Sequence, residues 1–113
     1  MKILDLIEEA DQAMAEAETS LEKDYLAGVK LFQAGITRLC QAHLLSKQQT
    51  ELPEALEALF QKCLVVNHEF EEIAEEFEIL LEAGKTKGDS EILIDTVNEI
   101  WDFIVDLIPE FEG

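Results

Sequence analysis

Arg38 is the only arginine in the chain, and His43 is one of two histidines. They stand in the run Arg38-Leu-Cys-Gln-Ala-His43, an Arg-x4-His spacing. A guanidinium that binds phosphate and an imidazole that moves a proton are the pair an RNA-cleaving site needs. On a straight helix, five steps of about 100° place the two side chains about 140° apart. Arg38 then borders a polar stripe, whereas His43 sits in the middle of an apolar line. They converge only if a second subunit supplies one of them. The reading adopted is a core or interface histidine and a surface arginine. No catalytic residue is assigned, and Arg38 and His43 remain the candidates to test.

The other chemistry-bearing residues are equally spare. His68 lies between Asn67 and Glu69, and Glu72 stands where a zinc-protease helix would need a second histidine. A carboxylate-bridged metal pair needs a Glu three places before each histidine. Cys40 and Val65 occupy those places. Cys40 and Cys63 sit among apolar residues at helical spacing and read as reduced core thiols. Without a clustered histidine or third cysteine they do not form a structural zinc site. Gly84-Lys-Thr86 resembles the end of a phosphate-binding loop, but the first glycine would fall at Ile79 and no strand precedes it. No metal and no cofactor is expected.

Charge is the more distinctive property. The net charge is −18, spread unevenly: residues 1–66 carry 11 acids against 6 bases, and residues 67–113 carry 15 against 2. That sign disfavours direct binding to nucleic-acid backbones and to anionic membrane surfaces. Asp95, Glu99, Asp102 and Asp106 share one face of the last predicted helix, and Glu71, Glu72, Glu75, Glu76 and Glu78 crowd the helix before it. The simplest role for these acids is a solvated face. The sharper one is a docking surface for a basic protein, with charge steering the encounter. Spaced carboxylates could also imitate nucleic-acid phosphates.

These residues must be positioned by helices. Tyr25, Val29, Phe32, Ile36, Leu39 and His43 form one apolar line, and Ala27, Leu31, Ala34 and Leu45 a second. Only Lys30, Gln33, Thr37 and Gln41 make a polar stripe. A helix this apolar is expected to be central, covered on several sides. A first helix over about Lys2–Glu18 carries one apolar stripe, Ile3, Ile7, Ala10, Met14 and Ala17. The segment 19–24 reads as a short connection with Ser20 a candidate N-cap. Gly28 and Gly35 fall on one flank of the central helix, where a neighbour, most simply the first helix, comes close.

Pro53 is expected in the first turn of the next helix. From Leu52 to Leu80, apolar residues recur at alternating steps of four and three. The run Val65-Val-Asn-His68 weakens that pattern, which predicts a break giving helices near 53–65 and 68–83. Gly84 is placed as a C-cap, and Asp89 or Ser90 as the N-cap of a last helix that ends at Pro109. No apolar run approaches the ~18–20 residues of a membrane span. The opening Met1–Ala10, one lysine followed by acids, does not read as a signal peptide, so a cytoplasmic location is expected.

The run Asp24-Tyr-Leu-Ala-Gly-Val-Lys-Leu-Phe-Gln-Ala-Gly-Ile36, followed by Gln41-Ala-His-Leu-Leu45, resembles the second helix of HEPN domains, and the order of predicted elements is similar too. These are small helical bundles of prokaryotic toxin–antitoxin and nucleotidyltransferase systems. The resemblance implies dimerisation, nucleotide- or nucleic-acid-related partners and, in some members, RNA cleavage. Cleaving members carry Arg-x4-6-His at the start of a later helix. Here Arg38 stands mid-way along the second helix and is followed by Leu39. The Tyr25, Gly28, Phe32, Gly35 spacing is also similar to a tetratricopeptide hairpin, though no second copy follows.

The expectation is a single all-α domain over 1–113, an up-and-down helical bundle of four to five helices, forming a homo-oligomer, most simply a dimer. The expected function is a non-enzymatic, HEPN-like interaction module that binds a protein partner through an acidic or apolar helix face. Two alternatives stand beside it. One is a HEPN-type RNase or toxin-associated protein using Arg38 and His43. The other is an acidic nucleic-acid mimic, or a chaperone for a basic protein.

Overall fold

The computed structural model describes residues 2–85 and 88–109. Among these there are five α-helices, one 3-10 helix and no strand: α1 (Ile3–Lys23), α2 (Tyr25–Ser46), α3 (Leu56–Val66), a 3-10 helix (His68–Ile73), α4 (Ala74–Ala83) and α5 (Ser90–Val105). The all-α bundle expected from periodicity is the architecture found. Thr86, the end of the phosphate-loop-like run, lies outside the described residues, as does Lys87.

α2 is the axis of the fold. Thirteen of its 22 residues are buried, against four of 21 in α1, which is the difference between a central helix and an outer one. α1 packs along one side of α2, and α3, α4 and α5 take the others. Coverage is incomplete, because Ala34 on the second apolar line is exposed and Ala27, Leu31 and Leu45 are half-buried. The polar stripe corrects the sequence reading more sharply. Lys30 is exposed, but Gln33 is half-buried and Thr37 and Gln41 are buried, so most of the stripe faces neighbours rather than water. Gln33 Nε2 donates to the Leu80 carbonyl (3.0 Å) and Gln41 Nε2 to the Pro53 carbonyl (2.9 Å). Thr37 Oγ1 turns back to the Gln33 carbonyl (2.7 Å). Satisfied in this way, the amides tie α2 to α4 and to the α2–α3 connection at little desolvation cost.

α1 runs five residues beyond Glu18. Thr19 and Ser20 are cap-forming types, yet they continue the helix because Leu21 is buried beneath α2. The connection to α2 is Asp24 alone, in extended conformation, its carboxylate accepting from the Ala27 N–H at 3.4 Å. The glycine expectation is met. A Cβ on Gly28 would lie 2.7 Å from Leu21 Cα, and one on Gly35 would lie 3.2 Å from the Ala10 carbonyl oxygen. Bare backbone at both places lets the two helices touch.

α2 ends in a Schellman arrangement: the Gln49 N–H reaches the Leu44 carbonyl, the Gln48 N–H reaches Leu45, and Gln48 takes φ 64°. Pro53, expected from sequence in the first turn of a helix, is in no helical turn. It lies in the connection, and α3 begins at Leu56 after an extended Ala55. The break predicted near residue 67 is present. Asn67 is extended (φ −144°, ψ 105°), and its side chain accepts from the Glu69 N–H at 3.0 Å. An asparagine that bonds its own downstream backbone both stops one helix and caps the next. The continuation is 3-10 to Ile73 and α-helical only from Ala74, and α5 stops at Val105, short of Pro109.

Candidate partner-docking surface

The two candidate catalytic residues occupy different environments. His43 is fully buried, its ring 5.0 Å from that of Phe70 at a tilt of 43°. Phe70 in turn packs against Phe60 and Phe103. Neither ring nitrogen of His43 has a hydrogen-bond partner among the described residues. Burial, with a smaller contribution from the Lys47 cation, pushes its pKa down to about 4. A neutral, enclosed imidazole neither reaches a substrate nor exchanges protons readily with water. Arg38 is partly exposed and occupied. It donates to Gln41 Oε1 (2.7 Å) and lies 3.9 Å from Glu9 and 3.8 Å from Glu54. Its guanidinium therefore bridges α1, α2 and the approach to α3.

Cys40 and Cys63 are both buried free thiols. Cys40 meets Cys63, and that contact together with burial pushes its pKa well up, so it stays protonated and unreactive. Among the described residues no group of three His, Cys, Asp or Glu side chains is placed to hold a metal ion, and no helix is long and apolar enough to cross a membrane.

The acidic candidates are on the outside. Asp95, Glu99 and Asp102 along α5 and Asp106 at its C-cap are all exposed, opposite the buried Leu93, Val97, Ile100 and Ile104. Asp89 caps this helix, accepting from the N–H groups of Glu91 (2.8 Å) and Ile92 (3.3 Å). The ion pairs among the described residues, Arg38 with Glu9 and Glu54 and Lys85 with Glu82, leave the α5 line untouched.

One feature escaped the sequence reading. Between α4 and the start of α5 lies an open cavity of about 630 Å³, its lining including Tyr25, Ile79, Ile92 and Leu93 with Glu75, Glu78 and Glu82 around it. Ile79 and Ile92 are 44% and 58% exposed, unusual for large aliphatic residues that share one cavity. The sequence did carry a signal: both isoleucines lie off the apolar lines of their helices. No protein-family model, curated protein or solved structure matches this chain.

Proposed function

We infer that this chain is a non-enzymatic helical interaction module that docks a basic protein partner on the acidic face of α5. The observation that carries the reading is the line Asp95, Glu99, Asp102, Asp106, exposed throughout and paired with no described lysine or arginine. Four like charges one turn apart repel each other, and a cationic partner relieves that repulsion. The HEPN-like character suggested by the Asp24–Ile36 motif fits a module of this kind, and the dimer it implies belongs to the same proposal. Arg38 and His43 take structural roles in it, one as a surface bridge and the other as core.

The test is capture of partners from the source cell by the tagged protein and by the variant Asp95→Lys, Glu99→Lys, Asp102→Lys. A basic protein held by the wild type and weakened about tenfold or more by charge reversal, with release at raised salt, is the expected result. The same proteins held equally by both forms would remove the electrostatic account. Light scattering of the purified protein decides the dimer.

A further inference from the structure

The cavity between α4 and α5 has a pattern that specifies what fits it. On α4, Glu75, Ile79 and Glu82 follow at steps of four and three, so they share one line, with the isoleucine between carboxylates a turn away on either side. At α5, the N-cap Asp89 and the helical Asp95 stand three residues to either side of Ile92. Both isoleucines line the cavity, with Leu93 as part of its floor. Ile92, on the cavity wall, also heads the exposed line that continues through Asp95, Glu99, Asp102 and Asp106, so the acidic face begins at the cavity. Glu82 has an exposed pairing with Lys85, which is worth little. Asp89 is engaged in capping, while Glu75 and Glu78 have no described cation beside them.

We propose that this cavity takes one face of a basic amphipathic helix, whose aliphatic side chains bury Ile79 and Ile92 and whose lysines or arginines meet the flanking carboxylates. Two things select this occupant. The cavity is open, and its lining sets the exposed Ile79 and Ile92 among the carboxylates of Glu75, Glu78, Glu82 and Asp89, which an apolar segment bearing cations complements. The carboxylates stand one turn from each apolar contact, where a helix carries cations at i±3 and i±4 from its apolar anchors. A second copy of this chain fits poorly, because its net charge of −18 would bring like charge to the rim. A nucleic acid fails for the same reason. The proposal rests on reading the chain as a docking module for a basic protein, and adds where the apolar contact is made.

The experiment uses two fluorescein-labelled peptides: a helical Leu/Lys peptide with leucine along one face, and a control with serine for each leucine and the same lysines. Binding to the intact protein is followed by anisotropy. The Leu/Lys peptide is expected to bind at one site, and the serine control about tenfold or more weaker. Ile79→Ser with Ile92→Ser should cost a similar factor. Both positions are solvent-exposed, so the thermal melt should be unchanged, which separates lost binding from lost folding. Equal binding of the two peptides, or wild-type affinity in the double isoleucine variant, overturns the groove. If lysine-dependent binding then disappears on reversing Asp95, Glu99 and Asp102, the acidic-face reading survives without it. Failure of both peptides to bind the wild type removes both.

Discussion

The α1–α2 seam and the α4–α5 seam are made differently. In the first, side chains are removed where the helices meet. Gly28 lies against the Leu21 backbone and side chain and Gly35 against the Ala10 carbonyl and the Met14 side chain, which fill the space a Cβ would take. In the second, full-sized side chains are present but face no counterpart. Phe77 and Leu80 of α4 and Leu93 and Val97 of α5 enter the core, while Ile79 and Ile92 remain at the open edge. A closed seam and an open one can therefore be built from equally apolar helices. What distinguishes them is whether the residues off the main apolar line are small or large.

That contrast fails if the closed seam tolerates bulk. Gly28→Val places a branched side chain within 2.7 Å of the Leu21 backbone, and destabilisation of about 3 kcal/mol is expected. Thermal unfolding by circular dichroism measures it, and a wild-type melt would show that the seam can open. Close packing on the other flank of α2 is read by pH. The folded state holds His43 neutral, with its pKa near 4 against an ordinary 6.5. Its contribution is complete above about pH 6.5 and is lost as pH falls toward 4, reaching roughly 2–3 kcal/mol by about pH 4.5. Urea midpoints for wild type and His43→Leu should diverge over that window, the variant losing less stability on acidification; parallel curves would mean that the imidazole is not enclosed. The smallest effect belongs to the open seam. Ile79→Ser should change stability by within about 0.5 kcal/mol, and a larger loss in the same melt would show that the cavity wall belongs to the core.

Much of the fold was legible because burial repeats along the chain. The line from Tyr25 to His43 located α2, and the low helix propensity of Val65, Val66 and Asn67 marked the break. What remained hidden depended on partners elsewhere in the sequence. Gln41 reads as surface until Pro53 offers its carbonyl, and Thr19 and Ser20 read as a turn until Leu21 is seen beneath Gly28. Pro53 is an acceptable first-turn residue by type, and only its use as an acceptor explains a later start. The exposed acids of α5 were visible as a periodic face, whereas the cavity was not, since it needs two helices brought side by side to exist.

The single residue between α1 and α2 also bears on the order of assembly. Joining two long helices through Asp24 makes their contacts local in sequence and leaves little loop entropy to overcome. This hairpin can therefore form first and serve as the template on which α3, α4 and α5 condense. It is complete by Ser46, so during synthesis it can close before the strongly acidic half has been made. Substitutions at its seam should then slow refolding, whereas those around the α4–α5 cavity should act on unfolding.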